Sequence, residues 1–164
     1  MILISACLLG ENCKYNGGHN LNKRLINLLE KLGLKGQIKP ICPEVAGGLP
    51  TPRSPSEIVA GEGNDILNHK AKVINKNGSN VTNYFIRGAE NVLKDIKDEN
   101  IDFAIFKARS PSCGSSQIYS GSFDGSIKNG EGVTTAILRQ HGISVYSEEE
   151  LGKMNEQILK LSLT

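Results

Sequence analysis

Short apolar runs alternate with amphipathic segments along the chain. MILIS at Met1–Ser5 and IDFAIFK after Asn100 are continuous apolar runs with the length of a buried strand. Apolar residues recur at helical spacing from Asn20 to Lys31 and from Ser79 to about Asp98, which predicts two helices. Strands that are apolar on both sides are typical of a parallel sheet covered by helices.

The remaining segments are less regular, and two of them are predicted to be loops. Gly47–Pro55 holds three of the six prolines and is expected to be stiff, while Ser110–Gly132 is rich in glycine and serine. The other predicted elements are a strand over Gln37–Cys42, two short strands within Asp65–Asn75, a helix from about Gly132 to His141, a strand at Ile143–Tyr146, and a helix from the Ser147 capping box to near Leu161. This order predicts a Rossmann-like three-layer α/β fold with a mainly parallel sheet, as a single domain over residues 1–164.

Composition and charge narrow the class of protein. The chain has 164 residues, 38% hydrophobic and 22% charged, and it lacks the roughly 18 consecutive apolar residues of a membrane span. The apolar N-terminus has no basic leader, so a cytoplasmic protein without a membrane partner is expected. The net charge of +2 comes from scattered basic residues, which favours a small substrate over a long nucleic acid.

Three of the four cysteines follow predicted strands. Cys7 comes after MILIS, Cys42 closes the second strand, and Cys113 lies in the loop after IDFAIFK. Loops at the carboxyl ends of parallel strands meet at one edge of the sheet, where ligands bind. In a reducing compartment such cysteines are thiols, metal ligands or catalytic groups rather than disulfides. The three thiols are therefore predicted to meet at one site.

The residues alone leave several interpretations of these thiols open. Each cysteine is equally well explained as a small buried hydrophobe. A structural zinc normally uses Cys-x2-Cys pairs, which are absent, and Cys7 and Cys13 are separated by five residues, so zinc is less favoured. An iron–sulfur cluster accepts thiolates from separate loops, and a cubane with three of them keeps one iron open, whereas the compact four-cysteine run of a ferredoxin is missing.

Four motifs together resemble one family. They are SACLLG (Ser5–Gly10), CPE followed by VAGGLPTPRSP (Cys42–Pro55), KARSPSCG (Lys107–Gly114) and GEGVTTAILRQHGI (Gly130–Ile143). The chain resembles the thiouracil desulfurase family in this order over nearly its whole length. The resemblance implies a [4Fe-4S] cluster on Cys7, Cys42 and Cys113, and an open iron for the sulfur of a thiolated nucleobase or nucleotide. The implied reaction is non-redox desulfuration to the oxo product and sulfide.

The fourth cysteine is the main ambiguity of this interpretation. A thiolate of Cys13 on the open iron would close the site. Cys13 lies in a polar loop, and the resemblance assigns the three ligand roles to the other cysteines. We therefore expect Cys13 not to be a ligand.

Two residues near the cysteines are candidates for catalysis. Glu44 follows Cys42 by two residues and is expected to act as the base for water, although a carboxylate at the start of a helix or loop is the alternative. Ser110 precedes Cys113 by three residues and is expected to orient substrate or relay a proton. The alternative for Ser110 is a serine that satisfies its own loop.

Further residues are candidates for binding substrate. Lys107 is expected to stabilise negative charge, and Arg53 to contact a phosphate, the alternatives being a solvated lysine and a surface ion pair. Gly47 and Gly48 are expected to permit close approach of the backbone or a positive φ. The N–H groups near Gly132 are expected to meet an anion at the start of a helix.

Two other functions compete with desulfuration. One is an iron–sulfur or zinc module that senses redox state or stores sulfur without turnover. The other is a nucleotide-binding α/β domain, but the chain has no Gly-x-Gly-x-x-Gly after its first strand and no phosphate-loop motif. The sequence sets neither the physiological substrate among base, nucleotide and RNA, nor the oligomeric state.

Overall fold

A computed structural model describes residues 1–163, apart from the side chains of residues 161 and 162. The elements, in chain order, are β1 Ile2–Ser5, α1 Lys23–Lys31, β2 Ile38–Ile41, α2 Pro43–Ala46, β3 Ser56–Val59, α3 Gly63–Leu67, β4 Lys72–Asn75, α4 Thr82–Asp95, β5 Phe103–Phe106, β6 Gln117–Tyr119, β7 Ile127–Asn129, α5 Val133–Gln140, β8 Val145–Ser147 and α6 Leu151–Ser162. No helix among the described residues is long and apolar enough to cross a membrane.

The central sheet has four parallel strands in the order β2-β1-β5-β8. The predicted α/β fold with a mainly parallel sheet is therefore confirmed. β1 and β5 are buried at every position, as their continuous apolar sequences predict. β2 lies at an edge of the sheet, which explains how Pro40 is accommodated in a strand that can lose one ladder hydrogen bond.

Side chains alternate between the two faces of this sheet and build two apolar layers. On one face, Leu3, Ala104 and Phe106 pack against residues of α4 and α5. On the other face, Ile2, Ile4, Phe103 and Ile105 pack against residues of α1 and α6. The period of two along β1 and β5 thus places helices on both sides of the sheet.

One prediction for the middle of the chain is wrong. Asp65–Asn75 was predicted to form two strands, but Gly63–Leu67 is a helix and only Lys72–Asn75 is a strand. The helix begins with a reciprocal capping box, in which the Glu62 side chain accepts from the Asp65 backbone and Asp65 Oδ2 accepts from the Glu62 N–H. These two bonds satisfy N–H groups that the helix itself leaves free.

Two antiparallel hairpins lie outside the central sheet. β3 pairs with β4, and β6 pairs with β7 inside the region expected to be a glycine- and serine-rich loop. β6 and β7 have three residues each and are mostly exposed, so they carry almost no apolar pattern. Short strands of this composition are hard to detect from sequence.

The contact between α2 and α4 is made backbone to backbone at two glycines. A Cβ atom at Gly47 would overlap the carbonyl oxygen of Tyr84, and one at Gly88 would overlap that of Pro43. Asn91 adds a 2.8 Å hydrogen bond from Nδ2 to the Ala46 carbonyl oxygen. Since α2 directly follows Cys42, this contact also fixes where β2 delivers that cysteine.

We predict that Gly88→Ala lowers the free energy of unfolding by about 2 kcal/mol or more, because the added methyl group must push α2 away from α4. Anaerobic urea denaturation measures the change. Gly152→Ala is the matched control, since Gly152 is exposed in α6 and a Cβ there meets nothing within 4 Å. That control is expected to be neutral or slightly stabilising. Equal midpoints for both variants would contradict the proposed packing.

Candidate functional site

A cavity of about 480 Å³ opens beyond the carboxyl ends of β1, β2 and β5. Cys7 lies in the 3-10 turn Ala6–Leu9 directly after β1, and Cys42 lies between β2 and α2. Cys113 is in the loop after β5 and is 4% exposed. All three line the cavity, as the order of the strands predicts.

Cys13 belongs to the same group of sulfur atoms. It lines the same cavity, and its carbonyl oxygen lies 3.9 Å from Cys42 Sγ. Cys13 reaches this position through a tight loop, in which Lys14 donates to the Gly18 carbonyl oxygen and Gly17 donates to that of Lys14. The polar character of this loop gave no sign that its cysteine faces the cavity.

The thiols differ in how readily they ionise. Hydrogen bonding with Cys13 lowers the pKa of Cys7 and that of Cys42 from 9.0 to about 7, against the opposing effect of burial. Hydrogen bonding with Cys42, and to a smaller extent with Cys7, raises the pKa of Cys13. Burial raises the pKa of Cys113 to about 12, although hydrogen bonds with Ser5 and Ser112 act in the opposite direction.

The loop that carries Cys113 is bound to the N-terminus of α5. Val133 N–H donates to the Pro111 carbonyl oxygen at 2.9 Å, and Thr134 N–H donates to that of Ser112 at 2.9 Å. Thr135 Oγ1 donates to the Cys113 carbonyl oxygen at 3.0 Å. The prediction that N–H groups near Gly132 meet an anion is therefore wrong, because these donors are taken by the cysteine loop.

Three consecutive glutamates before α6 hold the same loop from the other side. Glu148 accepts from Lys107 Nζ at 2.8 Å and from the Ala108 N–H at 2.7 Å. The Glu149 carboxylate pairs with the Arg109 guanidinium, and Glu150 Oε2 accepts from Ser115 Oγ at 2.9 Å. Lys107 lines the cavity, but its ammonium is partly neutralised by Glu148.

Glu44 and Arg53 form an ion pair in the wall of the cavity. Arg53 Nε donates to Glu44 Oε2 at 3.1 Å, and Nη2 contacts the same oxygen. Nη2 also donates to the Cys13 carbonyl oxygen, and Nη1 donates to the Pro50 carbonyl oxygen and Thr51 Oγ1. The Arg53 side chain is only 6% exposed and is engaged with these protein groups; its contact with a substrate phosphate stays a prediction.

Ser110 lines the cavity and also organises the turn that contains Cys113. Its Oγ accepts from the N–H groups of Ser112 and Cys113, each at 3.2 Å, and lies 3.0 Å from Ser112 Oγ. This is the turn role that the sequence left as the alternative. A catalytic role for Ser110 and for Glu44 stays a prediction.

Gly47 and Gly48 are not among the residues that line the cavity. Gly47 makes the close approach expected of it, but toward α4. Gly48 has the positive φ expected of it, +96°, at the end of α2. Their effect on the site is therefore indirect, through the position of α2.

The arrangement of thiols fits a cluster better than a single metal ion. Among the described residues, no three cysteine, histidine or acidic side chains are grouped closely enough to hold one ion. An iron–sulfur cluster, in contrast, takes thiolates that bind different irons and come from separate loops. Cys7, Cys42 and Cys113 match that requirement in residue type and in placement around one cavity.

Sequence analysis missed several residues that support the site. Ser5 ends β1, and its Oγ accepts from the Lys107 N–H at 3.0 Å, so one hydroxyl joins two of the motifs. Glu148 lies in the segment that was noted only as a capping box. Glu57, a buried glutamate of β3 that lines the cavity, carried no sequence signal.

Comparison with known proteins gives three consistent findings. Residues 2–150 match the family model described as 2-thiouracil desulfurase. The uncharacterized protein YbbK of Bacillus subtilis (strain 168) is 44% identical over 152 residues, and the match covers 92% of this chain and 97% of the length of YbbK. A solved structure described as the [4Fe-4S]-dependent thiouracil desulfidase TudS is 45% identical, with a TM-score of 0.82, covering 99% of this chain and 98% of its own. The resemblance inferred from the four motifs is confirmed.

We predict that Arg53→Leu lowers the free energy of unfolding by about 3 kcal/mol, because it leaves the Glu44 carboxylate without its partner in a largely buried wall. Adding Glu44→Gln should recover much of that loss. Arg109→Leu is the control, since its pair with Glu149 is more exposed and is expected to contribute about 1 kcal/mol or less. If urea denaturation shows that Arg53→Leu and Arg109→Leu lower the free energy of unfolding equally, burial of the Glu44–Arg53 pair does not affect stability, which contradicts the prediction.

Proposed function

The chain belongs to the 2-thiouracil desulfurase family, and we propose that it replaces the sulfur of a thiolated pyrimidine with oxygen from water at a [4Fe-4S] cluster. The balanced reaction converts the C=S group and one water into C=O and hydrogen sulfide. The observation that carries the proposal is the convergence of thiols from three neighbouring parallel strands on one cavity. The substrate is a small base or nucleotide, and the reducing cytoplasm is the compartment that suits these free thiols.

Cys7, Cys42 and Cys113 would hold the cluster, and Cys13 would remain a hydrogen-bonding neighbour of two of them. When bound, such a cluster supplies an iron that acts as a Lewis acid toward the C=S group and accepts the departing sulfur. Each of the three cysteines follows a different strand of the sheet, so the sheet brings the three proposed ligands to one cavity.

Glu44 is the residue that we assign as the base for water. Both contacts from Arg53 use Oε2, so Oε1 is the atom proposed to take a proton from water at the cavity. Arg53 holds the carboxylate in a fixed orientation, which proton transfer within hydrogen-bond reach requires. The Ser110 hydroxyl, which already points to the Cys113 turn, is proposed to orient the substrate or relay that proton.

Lys107 is proposed to stabilise negative charge that develops on the substrate. The Lys107 side chain is 24% exposed and lines the cavity, while Glu148 limits where its ammonium group can move. A module that senses redox state or stores sulfur is the alternative function. It is not favoured, because the family model that the chain matches is that of a desulfurase.

We expect anaerobic reconstitution to load about four irons per chain and to give sulfide release from 2-thiouracil or 4-thiouracil. Alanine at Cys7, Cys42 or Cys113 should abolish both iron binding and turnover, because each removes one ligand. Cys13→Ala is the matched control and should retain iron near the level of the unchanged protein. Iron counting, absorbance and sulfide assay make the comparison. Full loading of the Cys113→Ala protein, or loss of iron only in Cys13→Ala, would contradict the assignment of ligands.

For the proposed base, we expect Glu44→Gln to lower kcat by about 10²–10⁴-fold with unchanged iron content, since the amide keeps the shape of the side chain but cannot take a proton. Ser110→Ala should lower kcat less if its hydroxyl only orients the substrate. Glu11→Gln, an exposed glutamate in the loop before Cys13, is the control. Normal kcat in Glu44→Gln would assign the carboxylate to binding Arg53 alone.

A further inference from the structure

The tip of the β6–β7 hairpin forms one wall of the cavity. Tyr119, Phe123 and Gly125 of this segment line the cavity together with the cysteines. The tip is closed by its own hydrogen bonds, among them Ser120 N–H to the Ser126 carbonyl oxygen at 2.9 Å. The hairpin tip is therefore an ordered wall of the cavity, held by its own hydrogen bonds.

A buried carboxylate fastens this tip to β3. Glu57 is 8% exposed, and its Oε1 accepts from Gly121 N–H at 2.9 Å and from Phe123 N–H at 3.2 Å. Gly121 has a φ of +98°, and a Cβ there would lie 2.8 Å from the Ile58 carbonyl oxygen. A charge-assisted pair of hydrogen bonds and a glycine contact thus fix the tip on the strand below it.

Phe123 has a backbone conformation that aromatic residues rarely adopt. Its φ is +54°, in the left-handed region that is costly for a bulky side chain. Such strain persists where the surroundings determine it, and it is found at ligand-binding positions. Here the Glu57 carboxylate binds the N–H of the strained residue itself, and the half-buried side chain lines the cavity.

Aromatic side chains are concentrated at this cavity. Of the four tyrosines and four phenylalanines in the chain, Tyr15, Tyr119 and Phe123 line it, and the two tyrosines are 42% and 37% exposed. Aromatic rings pack against the flat face of a nucleobase irrespective of its hydrogen-bonding edge. The cavity therefore offers apolar faces for a planar ring in addition to its sulfur ligands.

We propose that Phe123 packs against the face of the substrate's pyrimidine ring, and that Glu57 is a positioning residue that holds Phe123 in place. The inference rests on the proposed function for the identity of the ring. The aromatic face would favour planar rings and raise the affinity for substrate. It would take no part in the replacement of sulfur, which is assigned to the cysteines, Glu44, Ser110 and Lys107.

The test measures kcat and KM for 2-thiouracil and the Kd of uracil, a product that lacks sulfur, on the iron-loaded enzyme. Phe123→Leu keeps apolar bulk but removes the aromatic face, and it should raise KM and the Kd of uracil by about tenfold with a smaller change in kcat. Phe123→Tyr should restore both values. Ser122→Ala, in the same exposed tip, is the control. Unchanged KM and Kd in Phe123→Leu would overturn the proposal.

The role of Glu57 is tested by two variants. Glu57→Gln keeps an oxygen that accepts both N–H groups, so KM and Kd should stay within about threefold of the original values. Glu57→Ala leaves two N–H groups without their acceptor and should raise KM and Kd as Phe123→Leu does. If both variants raise them equally, the carboxylate charge acts on the substrate and the positioning role is wrong.

Uracil binding separates this inference from the proposed function. If the unchanged protein binds uracil, and Phe123→Leu weakens that binding, the aromatic face is supported even when no sulfide is released. If sulfide is released but Phe123→Leu alters neither KM nor Kd, desulfuration stands and the aromatic face is overturned. If the unchanged protein does not bind uracil at all, the inference fails as well.

Discussion

The close contact between the N-terminus of α5 and the Cys113 loop is the constraint on which the site depends. Gly132 lies between the backbone of Ser112–Cys113 and that of Gly63: a Cβ at Gly132 would lie 2.6 Å from Cys113 N and overlap Ser112, and a Cβ at Gly63 would overlap the Gly132 carbonyl oxygen. Because this approach is so close, the first N–H groups of α5 reach the loop carbonyls directly. The N-terminus of a helix, which commonly serves as an anion site, here stabilises the loop that carries a thiol.

The three strand-end cysteines are held by independent devices. Cys7 is set by the 3-10 turn that continues β1, and Cys42 by α2, which packs on α4 at Gly47 and Gly88. Cys113 is set by α5. Hence the parallel sheet brings the three segments to one edge, and a separate backbone contact holds the segment that carries each cysteine. Because these segments are already ordered, binding a cofactor costs less conformational entropy than it would in flexible loops.

The sequence predicted the sheet and the cysteine convergence because both follow from strong, local patterns. MILIS and FAIF are apolar at every position, and the rule that parallel strands share a carboxyl edge places the following residues together. The β6–β7 hairpin, the α5 contact and the position of Cys13 were missed. The hairpin strands are short and mostly exposed, and the Cys13 loop and the α5 contact are built from backbone hydrogen bonds, so none of the three leaves a periodic signal in the side chains.

The Glu44–Arg53 pair illustrates why a buried ion pair is retained in such a site. Desolvation of both charges offsets much of their attraction, so the pair adds little net stability compared with apolar residues of the same volume. Its value lies in geometry. Arg53 binds Glu44 of α2 and the Cys13 carbonyl oxygen, and its own N–H donates to the Tyr15 carbonyl oxygen at 2.7 Å. Apolar side chains would fill the same space but could not bind both the Glu44 carboxylate and the Cys13 carbonyl oxygen in one fixed arrangement.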